Sequence, residues 1–167
     1  MKYSLILIFA FSTLFSCSSR DEAKKKENLA LVKKYLEAVE TNNPAMMDSV
    51  LAEEYKGFGP SVSDSTNKRD AIDNWKYNAE NLYESIKYTR FQNIAVTIGE
   101  GEEAEAGDWV SSWALVTIKY KDERGPVNAW VNVAYKIKDG KIIHSRTFYN
   151  EADVLRQLGY EFLPPIQ

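Results

Sequence analysis

The sequence predicts an α+β domain in which helices come first and a curved antiparallel sheet follows. Three observations carry this. Apolar side chains recur every three or four positions between residues 22 and 86. From Tyr88 onward the period drops to two, and the period-two runs are separated by short turn sequences. Helices that precede a strand meander must pack together on one of its faces. Long strands twist, so a sheet wrapped over a helix narrows to a cone with an open mouth.

The first helical stretch is "EAKKKENLALVKKYLEAVETNN". It places Leu29, Val32, Leu36 and Val39 on one stripe, Tyr35 beside them and lysines opposite. Asn42-Asn43-Pro44 stops it, because proline pushes the preceding residue out of the helical region. Pro44 then opens a second helix, "PAMMDSVLAEEY", with Met47, Val50 and Leu51 on one face. "YKGFGPSVSDSTNK" leaves room for a short strand near Tyr55 to Phe58 and then a loop. Asn67 is an N-cap with Asp70 in the first turn, and a third helix runs on through Ile72, Trp75, Ala79, Leu82 and Ile86.

In "YTRFQNIAVTIGE", Phe91 and Asn93 alternate with Ile94, Val96 and Ile98. "GEGEEAEAGD" reads as a solvated hairpin tip. Its acid spacing does not match a calcium loop. "WVSSWALVTIKYK", "VNAWVNVAYKI" and "KIIHSRTFY" complete four long strands joined by short turns. "NEADVLRQLGYEFLPPIQ" is a terminal turn or short helix followed by an extended tail.

The chain starts differently. In "MKYSLILIFAFSTLFS", Lys2 precedes an uncharged, mostly apolar run from Tyr3 to Phe15. The run has the length of a signal-peptide core and falls short of the roughly 20 residues of a spanning helix. "LFSC", Leu14 to Cys17, resembles the lipobox of bacterial lipoproteins, although Phe15 is bulkier than usual there. The resemblance implies that Cys17 is acylated, becomes the first residue of the mature protein and ties it to a membrane. One acyl chain binds marginally and two or more anchor stably. The predicted organisation is a signal peptide over 1–16, a lipidated polar tether over 17–23 and a domain over 24–167. Ser18, where an Asp would signal retention, implies the outer membrane of the cell envelope, with the domain periplasmic or surface-exposed.

Cys17 is the chain's only cysteine and His144 its only histidine, so no internal disulfide and no structural zinc are expected. No glycine motif that cradles phosphate follows a strand, and neither metal nor cofactor is expected. A net charge of −3 without a basic face argues against nucleic acid.

The closing segment is the most specific part of the body. Asp139-Gly140-Lys141-Ile142 forms a "DGKI" turn. Arg146, Phe148, Tyr149 and Asn150 end the strand, and "LRQLG" follows at Leu155 to Gly159. This segment, with the order helix, helix, short strand, helix, meander, resembles the nuclear transport factor 2-like superfamily over residues 24 to 160. The SnoaL-like and ketosteroid isomerase-like branches match best. Asn150 stands where Asp is usual. The resemblance implies a cone-shaped fold with three N-terminal helices on a strongly curved antiparallel sheet. It implies less about function, because such cones serve isomerases, dehydratases, cyclases, hydrolases and non-catalytic binders.

In the steroid isomerase branch a first-helix Tyr and a protonated carboxylic acid stabilise an oxyanion while an Asp moves the proton. The resemblance assigns Tyr35 to the Tyr position, Gly59-Pro60 to the Asp-Pro pair and Val133 to the protonated acid. With both acids replaced, catalysis of that kind is not expected. Asp64, a few residues beyond, is the candidate loop substitute for the missing base under the alternative, catalytic reading. His144 is either a structural strand residue or a general base, depending on its face. Ile142, His144, Arg146 and Phe148 share one face of the last strand, and Ile143, Ser145, Thr147 and Tyr149 the other. Val131, Val133 and Tyr135 are expected to face inward, with Trp130, Asn132 and Lys136 outward.

Aromatic residues make up 13% of the chain, with 10 Tyr and 4 Trp. Tyr35, Phe58, Trp75, Trp113, Val133 and Tyr135 come from elements that converge on the cavity in this fold, and they form the expected ligand pocket. An ordinary aromatic core is the alternative reading. Trp109, Trp113 and Trp130 are alternatively an exposed stripe through which the sheet forms a homodimer. The leading expectation is therefore a lipid-anchored, non-catalytic binder of a small apolar or aromatic molecule. A lyase, isomerase or hydrolase using Tyr35, Asp64 or His144, and a dimeric structural subunit of the envelope, are the other two.

Overall fold

The computed structural model describes residues 4–163 apart from Glu102 and Ala104, with side chains described from Arg20 onward. Helix α1 spans Ser4–Glu40 and α2 spans Pro44–Val50. Strand β1, Leu51–Phe58, and the short β2, Ser65–Asn67, lead into α3, Lys68–Tyr77. A π-helical turn, Asn78–Leu82, follows. Strands β3 (Tyr83–Ile98), β4 (Gly107–Tyr120), β5 (Val127–Lys138) and β6 (Lys141–Tyr149) form the meander, and α4 spans Glu151–Gln157. The sheet order is β2-β1-β6-β5-β4-β3. All pairs are antiparallel except β1 with β6. The fold is α+β as predicted, with a fourth short helix added at the end.

Helix α1 is continuous from Ser4, through the segments predicted as leader and tether. The side chain of Cys17 lies outside the described residues. No helix among the described residues is long and apolar enough to cross a membrane. Lys24 pairs with Asp108 of β4 at 2.6 Å and ties the helix to the sheet. Burial works to raise the Asp108 carboxyl, but Lys24 and the Thr97 hydroxyl outweigh it and hold the group below its usual range.

Beyond Lys24 the predicted stripe enters the core. Val32, Leu36 and Val39 are buried together with Tyr35, against Met47 and Val50 of α2 and Val110, Tyr135, Ile137 and Ile142 of the sheet. Fully burying a side chain of this size contributes about 1.5–3 kcal/mol. Asn42 turns the chain at φ 45°, and Asn43 caps α2 by accepting a bond from the Met46 amide at 3.0 Å. Asn67 caps α3 in the same way through Asp70. A cap of this kind is worth about 1 kcal/mol.

Two boundaries differ from the sequence reading. The second helix stops at Val50, and "LAEEY" is strand, with Leu51, Ala52 and Tyr55 buried. Helical spacing of Met47, Val50 and Leu51 could not separate the two, because a buried strand also brings apolar residues together. The third helix ends at Tyr77, and Tyr83 already belongs to β3. Ile86, predicted as helical, is a buried strand residue beside Ile118.

One irregularity in β3 shapes the sheet. Thr89 pairs with Leu115 and Gln92 with Trp113, so β3 carries one residue more than β4 across this interval. Arg90, at φ 54°, sits in this bulge. Before it Ile86 and Tyr88 line the interior. After it Asn93 and Ala95 oppose buried Ser112 and Val110, while Ile94 and Val96 turn outward and are 54% and 42% exposed.

Candidate functional site

The inner face of the sheet and the helices enclose a cavity of about 600 Å³. Strand alternation decides what enters it. On β5 the residues Val127, Ala129, Val131, Val133 and Tyr135 point in, and on β6 Ser145, Thr147 and Tyr149 do. Tyr35 and Leu36 of α1, Trp75 of α3 and Tyr55 of β1 close the buried end. Tyr83, Tyr120 and Tyr149 stand partly exposed nearer the mouth. Tyr83 and Tyr120 meet edge to face, with ring centroids 5.2 Å apart.

The polar groups at the buried end form a short relay. Trp75 Nε1 donates to the Tyr35 hydroxyl at 3.3 Å. Tyr55 and Ser145 share a hydroxyl–hydroxyl bond of 2.6 Å. Burial, reinforced by the neighbouring Tyr55, pushes the Tyr35 hydroxyl well above its usual pKa, and burial does the same to Tyr135. These groups stay protonated at neutral pH. They suit hydrogen bonding to a ligand oxygen and do not suit proton abstraction.

Of the residues expected to form the pocket, Tyr35, Trp75, Val133 and Tyr135 line the cavity with their side chains inside the cone. Two do otherwise. Phe58 borders the cavity, but its ring lies against His144, centroids 4.8 Å apart, and under the Arg146 guanidinium at 5.2 Å. The reason is register. Gly57 pairs with inward Ser145, so the next residue, Phe58, pairs with Arg146 and points out. Trp113 is corrected outright. It lies between the inward Ser112 and Ala114, is 37% exposed and faces away from the cavity.

His144 is outward too. It pairs with Lys136, also lies near Trp109 with centroids 6.1 Å apart, and has a buried Nε2 without a hydrogen-bond partner. It is separated from Tyr35 by the sheet, so the general-base role conceived for it has no geometric basis. Asp64 is at the cavity rim, in an exposed loop. Its carboxylate fills the space beside Gly59: a Cβ built there would stand 2.7 Å from Asp64 Oδ2. Among the described residues no hydrogen bond joins Asp64 to Tyr35. Gly59, Pro60 and Val133 do line the cavity, at the places where the resemblance assigns two acids.

The sequence reading missed Tyr55, Tyr83, Tyr88, Tyr120 and Tyr149, which all line the cavity. The excess of tyrosine was the available signal. Without strand parity it could not be attached to particular residues. Asn150, noted as a departure from Asp, caps α4 through the Asp153 amide at 3.1 Å, a task either residue performs. Among the described residues no cluster of three or more His, Cys, Asp or Glu side chains converges as a metal site. Glu105 of the acidic loop is engaged by Lys136 at 2.5 Å.

Such a cavity, closed by helices and opened at one end of a curved sheet, defines the nuclear transport factor 2-like fold, and this chain has that fold. Among solved structures it is similar to a nuclear transport factor 2-like protein from Burkholderia xenovorans LB400, with TM-score 0.61, 18% identity, and coverage of 80% of this chain and 97% of that one. It is similar to IdmH, a putative polyketide cyclase from Streptomyces antibioticus, with TM-score 0.60, 14% identity, and coverage of 78% and 97%. An LEH-like epoxide hydrolase of M. tuberculosis aligns with TM-score 0.58, 15% identity, and coverage of 81% and 91%. No protein-family model and no curated protein matches the chain.

Proposed function

We propose that the protein is a lipid-anchored domain of the bacterial cell envelope that binds a small, largely apolar or aromatic molecule without transforming it. The single observation that carries the binding reading is the composition of the cavity wall. About 600 Å³ is lined by tyrosines, Trp75 and aliphatic side chains, with hydroxyls at the buried end. Drug-sized ligands occupy pockets of roughly 300–1,000 Å³ with this mixture of apolar wall and few polar groups. The absence of catalysis is supported by Gly59 and Val133 in place of acids, and by His144 lying on the other side of the sheet. An acid–base enzyme is left with Asp64 alone, on the rim.

Anchoring rests on the lipobox-like "LFSC" and the acylation it implies at Cys17. The test of binding is calorimetry with a panel of neutral polycyclic phenols and ketones, on the wild-type protein and on Val133→Trp, which fills the cavity. Binding that weakens by tenfold or more in the variant supports the reading; equal binding by a folded variant, or none by either, overturns it.

A second reading concerns partners. The outer face of the sheet exposes Ile94, Val96, Trp113, Trp130 and Phe148 on neighbouring strands. Large contiguous apolar faces mark association sites, and this one fits a second copy of the chain, as expected for a homodimer.

A further inference from the structure

The cavity carries an electrostatic asymmetry that the binding reading above does not use. Among the described residues no Lys, Arg or His side chain lines it, and Asp64 is its one ionisable acid. The carboxylate is held in a defined place. The Asp64 amide donates to Ser61 O at 3.0 Å, the Asp64 carbonyl accepts from the Gly59 amide at 3.4 Å, and the missing Cβ of Gly59 leaves room for the side chain. Beside it the rim is aromatic: Tyr149, Tyr120 and Tyr83 line the same mouth. Burial, and then the Glu151 and Asp64 carboxylates, raise the Tyr149 hydroxyl, so both negative charges are felt at this ring. Arg124, stacked 5.9 Å from the centre of the Tyr120 ring, is already paired with Asp122 at 2.7 Å.

An anion entering this mouth meets negative charge and no cationic partner. An ammonium meets a carboxylate and electron-rich ring faces, the two features that recognise organic cations. Resting on the binding reading, we infer that the ligand is an apolar or aromatic molecule with an ammonium group at one end. The apolar body lies among Val131, Val133 and Tyr135, and the cation stops at the mouth between Asp64 and Tyr149. The arrangement makes Asp64 a specificity-determining residue and explains why a side chain on an exposed loop is seated against a glycine.

The experiment compares three probes of equal shape on the full mature chain by calorimetry: 2-naphthylmethyl-trimethylammonium, its neutral carbon isostere 2-neopentylnaphthalene, and 2-naphthylmethanesulfonate. The expected order is cation, neutral, anion, with the cation about tenfold tighter than the neutral probe at low salt. Asp64→Asn, and separately Gly59→Ala, which displaces the Asp64 carboxylate, are each expected to reduce that ratio to about twofold, a change in the ratio that a merely structural loss of binding, felt equally by both probes, would not produce. Equal binding of cation and neutral probe by the wild type overturns this inference and keeps the binding reading. A cation preference that survives both variants, or an anion bound tightest, overturns it as well. Failure of all three probes to bind overturns the binding reading and this inference with it.

Discussion

The hydroxyl oxygens of Tyr55 and Ser145 lie 2.6 Å apart, bridging the β1–β6 pair, the one parallel contact in the sheet. Both residues are buried, and the bond fixes the wall of the cavity where the late strand meets the early one.

Removing one partner leaves the other buried and unsatisfied, which costs about 1–3 kcal/mol. Tyr55→Phe is expected to lower stability by that amount in urea denaturation, with an unchanged m-value. The double variant Tyr55→Phe/Ser145→Ala should recover part of the loss. A Tyr55→Phe protein as stable as wild type would show the bond to be dispensable.

The buried tyrosines predict an alkaline limit. Burial, with help from Tyr120, pushes Tyr83 up to about 12, and burial raises Tyr35 and Tyr135 as well. In the unfolded chain tyrosine ionises near 10. Between these values the unfolded chain has lost protons that the native state keeps, so stability is intact below about pH 10 and falls as pH rises through the native values. Urea midpoints from pH 8 to 11.5 should stay flat and then drop, with phenolate absorbance appearing together with unfolding. Midpoints that stay level to pH 11.5 would contradict the burial described here.

His144 predicts the opposite limit. Burial, and then the Arg146 charge, lower its pKa below the ordinary 6.5. The unfolded chain therefore takes up a proton first on acidification, and the contribution present above pH 6.5 is lost as pH falls through the native value. His144→Phe removes this dependence and the unpartnered Nε2. Relative to wild type, the variant should gain stability as pH falls from 8 through 6.5, and it should be unchanged in ligand binding. Altered ligand binding would place His144 in the site after all.

Self-association is read by sedimentation velocity over a hundredfold range of concentration. The wild-type domain is expected to form a dimer, and Trp130→Glu/Phe148→Glu a folded monomer. A wild type that stays monomeric at every concentration rules out the outer sheet as a homodimer face.

Anchoring at Cys17 is checked by labelling cells with radioactive palmitate. The label should enter the wild-type protein and vanish in Cys17→Ala, which should also leave the membrane fraction. Equal labelling of both proteins removes the anchor.

Much of this fold was legible because its periods are clean. Val32, Leu36 and Val39 announce one buried helix face, Pro44 announces the start of α2 and Asn67 the cap of α3, and both form as written. The faces of β5 followed from alternation once a single position, Val133, was taken as inward. The site was less legible because it depends on phase between strands that the sequence does not connect. Whether Ser145 or His144 enters the cavity is decided by the pairing of β6 with β5 and β1, and Phe58 is turned outward by its pairing with Arg146. The chemistry of Trp113 suggests an inward place, yet its neighbours Ser112 and Ala114 take the interior in phase with Val110 and Val116, and alternation turns Trp113 out. "LAEEY" looked helical because a strand buried at Leu51, Ala52 and Tyr55 has no simple alternation.

The extra residue at Arg90 has an evolutionary consequence. It shifts the phase of everything downstream in β3, so the exposure of Ile94 and Val96 is set by residue count and not by side-chain identity. A one-codon deletion of the extra residue would let β3 pair with β4 without the bulge and keep Asn93 and Thr97 inward, whereas straightening the strand with the residue still present would exchange the two faces of its far half and turn the aliphatic pair toward the core. The extra residue and the bulge are therefore gained or lost together, and a relative one position shorter at this point should present the same outer face through a regular β3–β4 pair.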